Sequence, residues 1–359
     1  MKDNKMKDNL MFDNVAWWLF PETIQQDDSI ETAERLRTAH ATHAFVYLGV
    51  PGGDKNLSAA EQHERRGNLI EACASAGIQA HGCFCSMART GQPESWHQRF
   101  DNGERGDLLC PANPEVQDWV LGQLHYFLKE YPLAGINLED SYIIQSTATY
   151  DPANQGEDEY KEMKTCYCEY CKEHAPQEAE DRRRYFEGAL TGLVARISAE
   201  VKDKRSLAMS AAARMPYDRE FYLPYSDDIP YLDGWKYCQA NKNFHANWAD
   251  WHKQGLVDFV CPMSYLHDTR IVEIQTMGAS SRVANPKENV WMGLGLDIMT
   301  AEYSSSKKPE DANDSANTRK QLEMLAGMGQ RNVVFFAYLK EWVPDDTIEM
   351  MTRIFQASH

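Results

Sequence analysis

A short apolar segment of the chain ends in two adjacent carboxylic acids, Glu139 and Asp140. Successive side chains of a β-strand point to opposite faces, so Ile136 and Leu138 would share one face of this segment. Asn137 and Glu139 would share the other face, and Asp140 would begin the following loop. Burial of Glu139 at the end of a strand would raise its pKa, which suits a general acid near neutral pH. An ion pair with an arginine is the structural alternative.

A second candidate acid, Asp297, ends the segment that begins at Val290. Its residues alternate between an apolar set and a second set, which are Met292, Leu294 and Leu296, and Gly293, Gly295 and Asp297. Inward-facing glycines predict space for a ligand. Two carboxylates on either side of a sugar can cleave a glycosidic bond, because one protonates the leaving oxygen and the other is nucleophile or base. Asp140 and Glu341 are alternative second acids, and a helix cap is the structural alternative for Asp297.

Aromatic and polar residues lie near the ends of the same segments, and flat rings beside polar groups suit the apolar faces of sugars. The candidate substrate-binding residues are Trp17, Trp18, Arg214, Tyr265, Asp268 and Trp342, and Tyr338 is a further aromatic residue at a segment end. Trp17 and Trp18 are adjacent, so at most one of them can face a ligand. The other must belong to the core.

Three of the nine cysteines form the motif Cys166-Tyr-Cys168-Glu-Tyr-Cys171. Three thiolates at this spacing can occupy three corners of a zinc tetrahedron, and Cys110 is the best-placed fourth ligand. A site with four cysteines has no open coordination position, so its role would be to hold a loop beside the active site. Free surface thiols are the alternative. The other candidates for the fourth ligand are His174 and Cys85.

Short β-rich segments alternate with helical patterns along the whole chain, which is the order that produces a parallel sheet with crossover helices. The predicted strands are Asn14 to Phe20, His43 to Gly49, Ile78 to Ser86, Gly135 to Asp140, Ser206 to Ala212, Asp258 to Tyr265, Val290 to Asp297 and Asn332 to Leu339. The predicted helices are Ser29 to Ala41, Ser58 to Ala76, Pro114 to Tyr131, Arg182 to Lys202, Phe244 to Gln254, a weaker Arg270 to Ala284, Thr318 to Gly329 and Pro344 to Gln356.

This order predicts an α/β protein with a (β/α)8 TIM barrel that spans residues 1–359 as a single catalytic domain. A cysteine-rich loop insertion is expected at about residues 141–180. The segments after strands three, four, five and seven are long, whereas those before each strand are short. Long loops after the strands build the active-site face of such barrels.

The composition excludes some classes of partner. Lys and Arg number 37 against 54 Asp and Glu, and the formal net charge of −17 repels nucleic acids and anionic lipid surfaces. The polar start, MKDNKMKDNLMF, and the lack of a long apolar run predict a cytoplasmic protein without membrane contact. The odd number of cysteines favours metal binding in a reducing compartment over disulfides. A removed signal peptide is the alternative, and a homo-oligomer is compatible with the sequence.

The cysteine segments resemble those of the family-42 β-galactosidases. Cys110-Pro-Ala-Asn113 matches that family's segment after strand three, and the Cys166 to Cys171 motif matches its zinc-binding loop after strand four. The resemblance implies a zinc held by the four cysteines, and it implies that Glu139 is the acid. The chain departs from the family at Leu138, where the family has asparagine, and at Asp297, where the family has a glutamate nucleophile.

Two shorter motifs resemble other glycosidases. The Cys261-Pro-Met-Ser-Tyr265 segment is similar to the Met-x-Tyr strand of chitinase-like barrels, and Glu139-Asp140 resembles the paired acids of substrate-assisted hexosaminidases. The sequence therefore predicts a glycoside hydrolase that cleaves oligo- or polysaccharides. Glu139 would be its general acid/base, with Asp297, Asp140 or Glu341 as nucleophile. The alternatives are a substrate-assisted N-acetylhexosaminidase and a non-catalytic carbohydrate-binding barrel.

Overall fold

The computed structural model describes residues 11–19, 21–26, 28–49, 57–85, 87, 91–139, 165–214, 245–296, 314–338, 343 and 345–355. Its strands are β1 Asn14–Leu19, β2 His43–Tyr47, β3 Gln79–Phe84, β4 His97–Arg99, β5 Arg105–Leu109, β6 Gly135–Leu138, β7 Ala208–Arg214, β8 Phe259–Ser264, β9 Met292–Gly295 and β10 Asn332–Tyr338. Its α-helices are α1 Pro21–Gln26, α2 Ser29–Thr38, α3 Ala59–Ser75, α4 Pro114–Glu130, α5 Glu169–His174, α6 Ala179–Ser198, α7 Trp248–Lys253, α8 Thr269–Ser280, α9 Pro286–Asn289, α10 Ser315–Gly327 and α11 Asp345–Phe355.

Eight of the strands close into a parallel barrel in the order β1-β10-β9-β8-β7-β6-β3-β2. Sequential strands are neighbours because each one returns through a helix on the outside of the barrel. The last strand, β10, pairs with β1 through Val15 and Val333, which closes the circle. The prediction of a (β/α)8 TIM barrel is confirmed.

Side-chain alternation along the strands divides the core into two layers. Residues such as Ile136 and Leu138 of β6 pack in the outer layer, between the strands and the helices. The interior of the barrel is filled by a second, largely aromatic cluster. Its buried members are Ala16, Trp18, Phe45, Cys83, Phe259, Cys261, Met263, Tyr265, Trp291 and Val334.

Helix starts follow local signals in the sequence. The Ser58 hydroxyl and the Glu61 side chain form a capping box at the start of α3. Asn113 accepts a hydrogen bond from the Glu115 N–H and caps α4, which has proline at its first position. None of the helices in the described ranges is both long and apolar enough to cross a membrane.

Several short elements were not predicted, namely strands β4 and β5 and helices α1, α5 and α9. An antiparallel hairpin of β4 and β5 lies between β3 and α4, with His97 opposite Leu109. The predicted helix from Arg182 to Lys202 begins three residues earlier as α6 and ends in a π-helical turn at Ala199–Asp203. Strands of three and five residues carry little periodicity, which explains why the hairpin was missed.

Candidate active site and cysteine cluster

Glu139 directly follows β6 at the carboxyl end of the barrel, where it is half-buried. Its backbone N–H donates a hydrogen bond to the carbonyl oxygen of Phe84 at 3.2 Å. Phe84 ends the neighbouring strand β3, so the backbone of Glu139 is held by the rigid barrel rather than by a loop. A carboxylate in this position meets the first geometric requirement for a catalytic acid of a TIM barrel.

Asn137 lies two residues earlier on the same face of β6, where it is fully buried. The Trp18 indole Nε1 donates to Asn137 Oδ1 at 3.1 Å, and Asn137 Nδ2 donates to the Ser210 hydroxyl at 2.9 Å. These two bonds link β1, β6 and β7 across the interior. Strand alternation predicted the inward direction of Asn137, but nothing in the sequence predicted its partners. Because both the oxygen and the nitrogen of the Asn137 amide form hydrogen bonds, the network fixes the Trp18 indole ring below the active-site end of the barrel.

Trp18 belongs to an aromatic group at the carboxyl end of the barrel interior. The rings of Tyr265 and Phe336 stack with centroids 4.3 Å apart and an interplanar angle of 8°. Trp18 meets each of them edge to face, at 6.2 Å from Tyr265 and 6.0 Å from Phe336. Phe336 was not among the candidates, although alternation along β10 placed it on the inward face.

Gly293 allows this arrangement. A Cβ atom at this position would lie 3.3 Å from the Trp18 ring and 2.7 Å from the carbonyl oxygen of Pro262. The space beside this glycine is therefore occupied by protein. This corrects the expectation of ligand space at Gly293, whereas the same expectation for Gly295 stays a prediction.

Trp17 lies on the outer face of β1 and is fully buried. Its ring contacts Phe335 at 4.9 Å and Tyr338 at 6.0 Å. The expectation that one tryptophan of the pair is core is confirmed, and Trp17 is that residue. Tyr338 also lies in the outer layer, because the register of β1 and β10 shifts between Trp17 and Leu19. Neither ring faces the interior, which corrects their selection as sugar-binding rings.

Of the remaining candidate residues, only Asp268 lies fully within the described part of the structure. Asp268 is exposed, and its carboxylate caps α8 by accepting a hydrogen bond from the Arg270 N–H at 2.9 Å. Arg214 is the last residue of β7, and its side chain lies outside the described part of the structure. The residues that lie wholly outside it are Asp140, Asp297, Glu341 and Trp342. Their roles stay predictions.

The amino end of the barrel interior is closed by aromatic rings and two histidines. Phe259 stacks on Trp291 at 4.2 Å, His43 meets Trp291 at 4.8 Å, and His43 and His81 lie 5.2 Å apart. Among the described residues, neither ring nitrogen of His81 has a hydrogen-bond partner. Burial lowers the pKa of His43 to about 4, and burial with the nearby His43 lowers the pKa of His81 to about 3. Both imidazoles are therefore neutral near pH 7.

Cys110, Cys166, Cys168 and Cys171 form a buried cluster whose sulfur atoms all lie within 4.8 Å of one another. The Sγ atoms of Cys110 and Cys171 are 3.4 Å apart, and none of the four cysteines forms a disulfide. The structure places Cys110 beside the three cysteines of the motif, as expected of the fourth ligand, and the binding of a metal stays a prediction. His174 is exposed and its Nδ1 contacts the Tyr170 carbonyl oxygen, so the structure does not place it in the cluster.

Two backbone hydrogen bonds join the cysteine-bearing segments to the unpredicted hairpin and to the residue just before it. The Cys110 N–H donates to the Trp96 carbonyl oxygen at 2.8 Å, and the Tyr167 N–H donates to the Arg99 carbonyl oxygen at 2.7 Å. The cluster therefore connects the segment after β3 to the segment that precedes α6. Both segments belong to the active-site side of the barrel.

The geometry of the cluster fits a tetrahedral metal ion. Zinc–sulfur bonds of about 2.3 Å place the sulfur atoms of a tetrahedral site about 3.8 Å apart. The observed spacing is compatible with that value, and the Cys168 N–H also points to Cys166 Sγ at 3.4 Å. Hydrogen bonds from the other thiols, first Cys110, lower the pKa of Cys168, whereas hydrogen bonds with Cys166, Cys168 and Cys171 raise the pKa of Cys110. Four thiolates in this volume would need a cation to balance their charge.

The closed barrel is similar to the barrels of known carbohydrate-active enzymes. It superimposes on the glycoside hydrolase domain of PgaB (BpsB) from Bordetella bronchiseptica with a TM-score of 0.62 and 12% identity, covering 94% of this chain and 98% of that chain. It also resembles a β-galactosidase from the psychrophilic Marinomonas ef1 (TM-score 0.59, 8% identity, 96% of this chain, 59% of that one). A chitinase from Bacteroides thetaiotaomicron gives a TM-score of 0.54 and 10% identity, over 96% and 98%.

The sequence defines the family more narrowly. Residues 90–310, more than half of the chain, match the family described as glycosyl hydrolase-like 10, and the chain belongs to that family. No curated protein shows significant sequence similarity to the chain. The resemblance of the cysteine segments to the family-42 β-galactosidases stays a prediction.

Proposed function

We propose that the protein is a glycoside hydrolase that cleaves glycosidic bonds of an oligo- or polysaccharide, with Glu139 as its general acid. The observation that carries this proposal is the position of Glu139, half-buried directly after β6 at the carboxyl end of the barrel. Membership of a glycosyl hydrolase-like family supports the same class of reaction. Of the aromatic group at this end, Trp18 and Tyr265 are buried, and Phe336 is the half-buried ring that a sugar could contact.

In the proposed reaction, Glu139 gives its proton to the glycosidic oxygen as the bond to the anomeric carbon breaks. A second carboxylate then either attacks that carbon or removes a proton from the attacking water. Asp297 is the first candidate for this role, and Asp140 and Glu341 are the others. A separation of about 5 Å between the two carboxyl groups gives retention of configuration, and about 6.5–9.5 Å gives inversion.

A screen of chromogenic glycosides and natural oligosaccharides with the purified protein tests the proposal. Wild-type protein should hydrolyse at least one substrate, and the Glu139→Gln variant should hydrolyse it much more slowly. Activity confined to N-acetylated sugars would assign the substrate-assisted mechanism of the Glu139-Asp140 pair. Saturable sugar binding without any hydrolysis would contradict the proposal and favour a binding barrel.

We also propose that Cys110, Cys166, Cys168 and Cys171 hold a structural zinc ion. Four thiolate ligands leave no position for water or substrate, so the ion would stabilise the fold around the active site without taking part in chemistry. The buried tetrathiol arrangement supports this role, and it suits a reducing compartment such as the cytoplasm, where we place the protein.

Metal analysis tests the zinc proposal. Protein purified without chelators should contain about one zinc ion per chain. The Cys168→Ser variant should unfold at a lower temperature while the remaining folded enzyme keeps its turnover rate. Absence of metal from the wild type, or loss of turnover at unchanged thermal stability, would contradict the proposal.

A further inference from the structure

Arg182 is a buried arginine in the first turn of α6, beside the cysteine cluster, and only 3% of its surface is exposed. Its Nε donates to the Thr165 hydroxyl at 2.8 Å, one terminal nitrogen donates to the Pro176 carbonyl oxygen at 2.9 Å, and the other donates to the Cys166 carbonyl oxygen at 2.6 Å. The guanidinium also lies 4.3 Å from the centre of the Tyr167 ring. Three polar contacts and one stacked ring hold it in a single orientation.

All three acceptors of Arg182 are uncharged. The two arginines that follow it behave differently, because Arg183 pairs with Glu180 and Glu187, and Arg184 pairs with Glu180. Within the described ranges, no carboxylate lies in ion-pair distance of Arg182. Burial of a charged group without a counter-ion costs several kcal/mol. A nearby negative charge would offset this cost.

A zinc ion with four thiolate ligands supplies that charge, since two positive and four negative charges leave a net charge of −2. We infer that Arg182 balances the charge of the metal-loaded cysteine cluster and holds the backbone of Cys166 so that its thiolate is positioned to bind the metal. This inference rests on the zinc site proposed above. Arg182 bonds the carbonyl oxygen of a proposed ligand residue, and both Arg182 and the cluster pack against Phe186.

The contacts of Tyr167 add to the positioning role. Its N–H is bonded to the Arg99 carbonyl oxygen of the hairpin, while its ring lies on the guanidinium of Arg182. The peptide that joins Cys166 to Tyr167 is thus held from both sides. Residues that orient metal ligands through such contacts typically change metal affinity by 10–100-fold when they are replaced.

The experiment compares Arg182→Met, Arg182→Lys and the control Arg184→Met. Arg184 lies on the same helix, but its side chain is 68% exposed. Zinc affinity is measured on the full-length protein by competition with a chromogenic chelator, together with the rate of zinc release. Arg182→Met should bind zinc about 10–100-fold more weakly than the wild type, and Arg184→Met should be unchanged. Arg182→Lys keeps the charge but loses the three-way contact, so its affinity should lie between the two.

A second measurement separates charge balance from packing. Cobalt-loaded Arg182→Lys should keep the charge-transfer bands of a four-thiolate site. Relative to the wild type, Arg182→Lys should lose more free energy of unfolding when it is loaded with zinc than when it is metal-free. Equal losses in both states would mean that Arg182 only packs, and would overturn the inference.

The two proposals fail in different ways. Wild-type protein that binds no zinc would remove the zinc site itself. Wild-type protein that binds zinc, with Arg182→Lys or Arg182→Met matching its affinity, would overturn the role of Arg182 alone. If Arg182→Met does not fold, the affinity and release rate of Arg182→Lys decide the question.

Discussion

The two ends of the barrel interior are built from the same strands but differ in how their side chains are held in place. At the amino end, Phe259 and Trp291 stack, and His81 has no hydrogen-bond partner among the described residues. At the carboxyl end, Asn137 uses its amide to bind Trp18 and Ser210. Packed rings fill the amino end, where His43 Nδ1 contacts the Thr42 hydroxyl at 2.8 Å and Trp291 Nε1 donates to the Glu288 carbonyl oxygen at 3.1 Å. Side-chain hydrogen bonds across the interior order the carboxyl end.

This difference suggests that one end of the barrel interior mainly stabilises the fold and that the other end mainly positions the groups for the reaction. Packed aromatic rings exclude water and contribute free energy of folding. Bonded polar groups beneath a carboxylate fix orientation instead, which is what an active site needs. Substitutions at the amino end should therefore change stability, and substitutions at the carboxyl end should change turnover.

The largest effect is expected at the amino end. Phe259→Ala removes a ring that stacks on Trp291 and should lower the free energy of unfolding by about 3–5 kcal/mol, because the cavity cannot fully collapse. Urea denaturation measures this loss. The kcat of the folded fraction should stay near that of the wild type, and Phe259→Leu should lose less stability. A Phe259→Ala protein of normal stability but low kcat would contradict the division between the two ends.

The next effect is expected at Glu139. Glu139→Gln keeps the shape of the side chain and removes its proton, so turnover of substrates with poor leaving groups should fall by at least about 10²-fold. An activated aryl glycoside should lose less, because its leaving group needs little protonation. The free energy of unfolding should change little. Near wild-type hydrolysis of the natural substrate would move the acid to Asp140 or Glu341.

A smaller effect concerns pH. Because the pKa of His81 is about 3 in the folded protein and near 6.5 when unfolded, the unfolded chain binds more protons between these values. The stabilising contribution is complete above about pH 6.5 and is lost as the pH falls towards 3. From pH 7.5 to pH 5, His81 should lower the free energy of unfolding by about 2 kcal/mol.

The same comparison with His81→Phe isolates this histidine, since the variant cannot titrate at that position and should lose less stability over the interval. His174→Phe, at an exposed position, should follow the wild-type curve. If the free energy of unfolding of the wild type and of His81→Phe depends on pH in the same way, the protonation of His81 does not destabilise the folded protein and the prediction is wrong.

The smallest effect is expected at Asp268. Its carboxylate caps α8, so Asp268→Ala should lower the free energy of unfolding by about 1 kcal/mol, and Asp268→Asn should be close to neutral. Turnover and KM should be unchanged in both variants. A large increase of KM in the folded Asp268→Asn protein would instead restore Asp268 as a substrate-binding residue.

Much of the fold could be predicted from local pattern. The period-two alternation of Ile136, Asn137 and Leu138, and that of Met292 and Leu294, reports burial directly, because each strand buries one face under helices and the other in the barrel. The spacing of Cys166, Cys168 and Cys171 likewise indicated a cluster without knowledge of the fold, because nearby ligands need little chain to meet.

Other features depend on residues that are far apart in the chain. The bonds of Asn137 to Trp18 and Ser210 and the contact of Gly293 with the Trp18 ring arise only when the strands close into a barrel. Alternation gives the face of a side chain but neither its height nor its neighbours across the lumen. The register shift that moves Tyr338 into the outer layer has the same cause, since a bulge depends on the pairing of two strands rather than on either sequence alone.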